Sequence, residues 1–126
     1  MARYETTFET RFTARHALRH YRGGTERPHR HSFRVAAVVS AARVDRAGMA
    51  IDFLDLKKAV NTEIARLRGR FLNEDVPEFR SGRASPSAEH VAAAIFRRLE
   101  KALPKGIRLE RVTVSEASGC SAAYVR

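Results

Sequence analysis

From Tyr4 to Ala14 the chain sets Phe8 and Phe12 among Thr, Glu and Arg, a pattern that suits a half-buried strand and poorly suits a helix. After a loop from Leu18 to Pro28, the stretch His31 to Val44 is rich in Val and Ala and reads as the return strand, broken at Asp45-Arg46-Ala47-Gly48. The period then changes. Phe53, Leu56, Val60, Ile64 and Leu67 recur every three or four residues and predict an amphipathic helix. It starts near Asp52, which can cap, with Asp55 three residues on in a capping-box-like pattern, and Gly69 ends it.

Arg70 to Ala84 carries Pro77, Gly82 and many charges and is expected to be a surface loop. Ser85-Pro86 announces a second helix, because proline is tolerated at the first helical position, where its missing N–H costs nothing. Val91, Ile95, Leu99 and Leu103 make its apolar face, and Pro104 and Gly106 stop it. Ile107, Leu109, Val112 and Val114 form a further strand whose phase changes at Glu110-Arg111, the mark of a bulge. A turn at Ser118-Gly119 leads to a short last strand, Ala122 to Val125. The order is ββααββ, an α+β fold, and residues 1–126 are read as one domain without repeats.

Composition narrows the class. The hydrophobic share of 44% is that of a globular protein. No apolar run approaches the ~20 residues that span a bilayer, and the opening Met-Ala-Arg-Tyr-Glu has no signal-like core, so no membrane partner is expected and the cytoplasm is the expected compartment. A lone cysteine, Cys120, permits no intramolecular disulfide. The net charge of +10 comes almost wholly from arginine. Arginine serves either a nucleic-acid surface or a grip on a small anion. Here the arginines are scattered and lack interleaved aromatics, which disfavours nucleic acid as a partner.

Three histidines carry the candidate chemistry. His16 ends the first strand-like run, and His29 and His31 open the second. Residues two apart on a strand share a face, so His29 and His31 aim together while Arg30 points away. Three imidazoles are a common protein share of a catalytic Zn2+ site that leaves a fourth position open. The competing reading is three unrelated histidines. His20, in the intervening loop, and His90, in the second helix, lack this geometry.

The landmarks Phe12-Thr13-Ala14-Arg15-His16, His29-Arg30-His31-Ser32-Phe33, Gly48-Met49-Ala50-Ile51-Asp52-Phe53, Leu72-Asn73, Pro86-Ser87-Ala88-Glu89 and Ser115-Glu116 occur in this order. In order and spacing the chain resembles the 6-pyruvoyl-tetrahydropterin synthase and 6-carboxy-tetrahydropterin synthase family over nearly its whole length. The resemblance implies the tunnelling fold, an antiparallel sheet with two helices packed on one face, assembling through its edges into a homo-oligomer, trimer or hexamer. It implies zinc ligands at His16, His29 and His31, and a pterin-anchoring carboxylate at Glu116. On residue type alone Glu116 is an ordinary strand-end charge.

The departures from the family pattern bear on the reaction. Arg30 replaces the glycine usual between the paired histidines, and Thr25 stands where the family's synthases use a cysteine. Arg68-Gly69 stands where an Asp-His pair normally precedes Leu-Asn, and Cys120 does not replace the missing thiol by position. Some relatives lacking the cysteine carry a glutamate at the place of Glu26. That residue is either a catalytic acid–base or a loop ion pair with Arg27. Arg68, Arg70 or Arg30 would hold an anionic group bidentately. The implied activity is a zinc-dependent lyase or cyclase acting on a pterin-type or phosphorylated small molecule, with retro-aldol cleavage of dihydroneopterin triphosphate or a close relative as its concrete form. Two alternatives stay open: a repurposed cyclase condensing an amine with a (phospho)aldehyde in Pictet-Spengler fashion, and a non-catalytic, metal-retaining ligand-binding relative.

Overall fold

The structure, a computed structural model, describes residues 2–126. The first predicted hairpin forms with strands β1 (Tyr4–His16) and β2 (His29–Ala41), paired antiparallel. Near its end β1 alternates strictly: Phe12, Ala14 and His16 are buried, while Arg11, Thr13 and Arg15 are exposed. Phe12 lies opposite Phe33, and their rings stack at 5.0 Å. β1 runs through His16 rather than stopping at Ala14, and β2 starts at His29 rather than His31, because His16 and His29 are themselves a ladder pair. β2 stops at Ala41, short of the expected Val44, since its partner strand begins at Tyr4, opposite Ala41.

Helix α1 (Phe53–Ile64) is capped as the sequence predicts, the Asp52 carboxylate accepting from the Leu54 N–H at 2.8 Å. Leu56, Val60, Ile64 and Leu67 are buried, but Phe53 is 72% exposed. As the first helical residue it precedes the packed stretch and leaves the apolar stripe to begin at Leu56. Beyond the helix, turns lead to Gly69, whose φ of +73° suits a residue without Cβ. The Gly69 N–H donates to the Thr13 carbonyl and the Arg15 N–H to the Arg70 carbonyl, which lays this segment along the outer edge of β1.

The expected loop from Arg70 to Ala84 contains two one-turn helices, α2 (Leu72–Asp75) and α3 (Pro77–Arg80). Leu72, Val76 and Phe79 are spaced by four and three and are buried, a stripe hidden in the sequence by the charges around it. Helix α4 (Ala88–Ala102) takes Ser87 as its cap, with the hydroxyl accepting from the His90 N–H. Pro86 therefore lies before the cap instead of at the first helical position. Val91, Ile95 and Leu99 are buried as expected, whereas Leu103 is only partly covered.

Strands β3 (Arg108–Ala117) and β4 (Cys120–Val125) complete a sheet of order β1-β2-β3-β4, with β1 and β4 at its edges. Val38 pairs with Arg111 and Val39 with Leu109, so Glu110 is the extra residue of the anticipated bulge. The Glu110 carboxylate accepts from the Ser40 hydroxyl at 2.6 Å. One cluster of buried side chains joins Phe12, Phe33 and Val112 of the sheet to Leu56 of α1 and Ile95 of α4, so both long helices cover one face. Among the described residues the opposite face carries no helix. Among the described residues no helix is long and apolar enough to cross a membrane.

Candidate metal centre

Ladder register brings the three histidines together: His16 faces His29, Ala14 faces His31, and all three project from the helix-covered side at the end of the sheet. Their ligand nitrogens lie within 4.8 Å of one another, and the rings meet edge to face at centroid separations of 4.7, 5.2 and 4.4 Å. His16 is fully buried, while His29 and His31 are partly open.

Backbone carbonyls set the tautomers. The His16 Nδ1–H donates to the Pro86 carbonyl at 2.7 Å, leaving the Nε2 lone pair directed into the cluster. His29 Nδ1 lies 3.1 Å from the Arg27 carbonyl in the same manner. Burial, with smaller contributions from the neighbouring His29 and His31, pushes the His16 imidazole below the usual histidine range against the Pro86 bond and the Glu116 charge, which push it up. His16 is thus neutral at neutral pH, the form that ligates a metal. Its Nε2 is buried and has no hydrogen-bond partner among the described residues. An orphaned, neutral nitrogen facing two more imidazoles fits a Zn2+-type cation better than it fits a satisfied core histidine.

Two carboxylates border this cluster. Glu116 Oε2 lies 3.5 Å from His16 Nε2 and is also buried without a hydrogen-bond partner. Glu116 sits where the β3–β4 register is interrupted between Val114 and Ala117, free of ladder constraints on that side. It lines a hollow of about 270 Å³ with Leu18, Ser87, Glu89 and Cys120, so the lone thiol lies near the site despite its distance in sequence. Glu26 Oε1 lies 3.8 Å from His29 Nε2 and accepts the Leu18 N–H at 2.9 Å. Its own N–H donates to the Leu18 carbonyl, so Glu26 closes the loop that carries it. No Glu26–Arg27 ion pair is present among the described residues.

The arginines separate. Arg68 lines a shallow hollow with Arg15 and Arg30 on the helix-free side, whereas Arg70 lines another with Glu63, Asp75 and Arg98 near the helices. Neither lines the two hollows that Glu116 lines. His20 is exposed, with φ of 56°, and His90 bonds the Ser85 carbonyl, so both lie outside the cluster.

Two supporting residues escaped the reading of the sequence for function. Asn73 is buried and clasps Ala17, accepting from its N–H at 2.9 Å and donating to its carbonyl at 2.8 Å. Arg19 donates to the carbonyls of Phe79, Ala84 and Asn73, fastening the segment after β1 to α2 and α3. For Asn73 the signal was its place in the Leu72-Asn73 landmark, which carried no hint of the bond to Ala17. For Arg19 there was none, because nothing in a sequence separates a crosslinking arginine from a solvated one.

An antiparallel four-stranded sheet with helices on one face and a histidine cluster at its end defines an α+β fold of the tunnelling kind. The chain belongs to the 6-pyruvoyl tetrahydropterin synthase family, whose model matches residues 5–126. It is 35% identical over 121 residues to the 6-carboxy-5,6,7,8-tetrahydropterin synthase of Synechocystis, covering 92% of this chain and 88% of that one. It is 31% identical over 93 residues to the dihydroneopterin monophosphate aldolase of Pyrococcus furiosus, covering 74% of each. In fold it matches the 6-pyruvoyl tetrahydropterin synthase of Caenorhabditis elegans with a TM-score of 0.85 at 22% identity, covering 100% of this chain and 97% of that one.

Proposed function

We propose that this protein is a zinc-dependent lyase acting on a phosphorylated pterin side chain, with His16, His29 and His31 holding the metal. The observation that carries the reading is the buried, unpartnered Nε2 of His16 facing two further imidazoles and the unpartnered Glu116 Oε2. Bound there, the metal would supply Lewis-acid polarisation of a substrate oxygen. Glu116 would accept paired N–H donors from a guanidine-like ring edge, in the manner of charge-assisted hydrogen bonds. Glu26, tied through one oxygen to the Leu18 N–H, would move the proton next to the metal-facing edge of His29.

Family membership and similarity to both a named synthase and a named aldolase support the pterin class. The choice of lyase over synthase rests on Thr25, Arg68 and Gly69, which offer no thiol, carboxylate or imidazole at the relay positions. Assembly into a ring of subunits is part of the proposal. Among the described residues the outer edge of β1 along Tyr4–Arg11 has no strand partner, nor has that of β4, and unpaired edges invite pairing between copies.

The test is metal analysis alongside turnover of dihydroneopterin mono- and triphosphates. The expected result is one zinc per chain, lost in His29→Ala and His31→Ala, with release of a two-carbon aldehyde. Glu26→Gln should retain zinc and lose at least about a hundredfold in kcat, the usual worth of a general acid–base. Zinc without turnover of any pterin phosphate would favour the ligand-binding relative, and turnover of an amine with an aldehyde instead would favour the condensing cyclase. Unchanged zinc in both histidine variants would overturn the ligand assignment.

A further inference from the structure

A hollow of about 350 Å³ lies between the end of α1, the two one-turn helices and α4, and it shares no lining residue with the hollow beside Glu116 and His16. Part of its wall is apolar, made by the buried Leu67, Val76 and Ile95. The rest is charged and balanced: three carboxylates, Glu63, Asp75 and Glu78, stand with three guanidinium groups, Arg66, Arg70 and Arg98. On a chain of net charge +10, general attraction of anions does not account for such a lining.

Two of these groups satisfy each other, Arg98 donating to both oxygens of Glu78 at 2.6 and 2.8 Å. Others are left open. Glu63 is 6% exposed, and its Oε1 is buried without a hydrogen-bond partner among the described residues. Arg66 Nε lies 3.1 Å from that oxygen and supplies charge, but its N–H is not directed at it. A buried carboxylate oxygen without an aligned donor is costly, and a donor entering the hollow would relieve it. Asp75 accepts the Phe71 N–H at Oδ2, at 2.9 Å. Among the described residues no cationic nitrogen lies within 4 Å of Asp75 and no carboxylate oxygen within 4 Å of the Arg70 guanidinium.

The open groups call for a two-ended ligand. An ammonium brings three N–H donors to carboxylate oxygens, and a carboxylate matches the fork of a free guanidinium. A simple anion would face three carboxylates here and a simple cation three guanidinium groups, whereas a molecule carrying both charges meets each with its opposite. Leu67, Val76 and Ile95 add apolar surface for a side chain to cover. The volume is at the small end of the ~300–1,000 Å³ usual for small-molecule sites, which suits a compact ligand.

We propose that this hollow binds a free α-amino acid with an apolar side chain, its ammonium at Glu63 and Asp75 and its carboxylate at Arg70. The site stands whether or not the histidine cluster is catalytic.

The experiment is calorimetric titration of the zinc-loaded protein with L-phenylalanine and L-leucine, alongside phenethylamine, which lacks the carboxylate, and hydrocinnamate, which lacks the ammonium. Both amino acids are expected to bind saturably, one per chain, and each one-ended analogue to bind more weakly by about tenfold or more, the worth of a lost charge-assisted hydrogen bond. Glu63→Gln and Arg70→Gln should each weaken amino-acid binding to the same degree, and Glu63→Gln should keep its zinc. Glu74→Gln and Arg80→Gln, exposed neighbours outside the hollow, should change it less than about twofold. An amino acid can also ligate zinc through its nitrogen and oxygen, so the titration is repeated on His29→Ala, where binding should persist.

Absence of saturable binding at millimolar amino acid would overturn the site and leave Glu63 as a charge that docks α1 through Arg66. Phenethylamine binding as tightly as L-phenylalanine, with Arg70→Gln silent, would mean a plain cation site and overturn it. Hydrocinnamate binding as tightly, with Glu63→Gln silent, would do the same in favour of an anion site. Binding lost in His29→Ala and unaltered in Glu63→Gln would put the amino acid on the metal instead. Should Glu63→Gln fail to fold, Arg70→Gln and the two analogues still decide the question.

Discussion

Replacing Asn73 by alanine strikes the joint between the α2 segment and the end of β1. The Asn73 side chain satisfies both backbone groups of Ala17, which is 2% exposed, and Asn73 itself is 7% exposed, so water has little access to replace either bond. A buried donor or acceptor left without a partner costs about 1–3 kcal/mol, and here one of each is orphaned, for an expected loss of about 2–6 kcal/mol. That is a large share of the ~5–15 kcal/mol that holds a typical domain folded. Urea unfolding followed by circular dichroism should show a lower midpoint with little change in slope. Asn61→Ala, on the half-buried flank of α1, is the control and should stay within about 0.5 kcal/mol. Ala17 directly follows His16, so Asn73→Ala should also weaken zinc binding, by misplacing a ligand rather than removing one. A stability loss below about 0.5 kcal/mol would mean instead that Ala17 finds other partners or water and that the Asn73 clasp holds nothing.

Two further outcomes follow from the packing. The Arg98 guanidinium bonds both oxygens of Glu78, at 2.6 and 2.8 Å, and holds its carboxyl below the usual range; a depressed carboxylate contributes stability that is present above its unfolded value and lost as pH falls through the folded one. Acid unfolding of Arg98→Gln should accordingly show a shallower loss of stability below about pH 4.5 than the parent, and parallel acid limbs would contradict the pairing. In α1, Leu56→Ala should cost about 2–5 kcal/mol while Phe53→Ala stays within about 0.5 kcal/mol, because Leu56 is 0% exposed and Phe53 is 72% exposed in the subunit; comparable losses at both positions would place Phe53 in a contact between copies.

Much of the fold was legible because its signals are local. Period two in β1, the 3.6-residue stripe of α1, the Asp52 cap and the phase slip at Glu110 are each written within a dozen residues, and each has its counterpart in the structure. The errors share one cause, competition between a local rule and a neighbouring contact. Pro86 has the right chemistry for a first helical position, yet the Ser87 hydroxyl caps the helix one residue later and the Pro86 carbonyl is left to accept from His16. Leu72, Val76 and Phe79 form a stripe too short and too charged in its surroundings to announce itself, and it becomes helical by packing into the common core.

Local pattern is enough for the class: strand alternation places His29 and His31 on one face, the family landmarks match in order, and one cysteine excludes an internal disulfide. Which groups meet depends on how distant segments pack. The ladder set His16 against His29, and the turn into α4 supplied the Pro86 carbonyl that selects the His16 tautomer. The sheet also divided the arginines among its two faces, putting Arg70 by the helices and pairing Arg11 with Arg34 and Arg15 with Arg30 on the open side. The difference is one of range: periodicity and capping are settled by residues a few positions apart, whereas ligand convergence, burial and charge crowding depend on register between strands far apart in the chain.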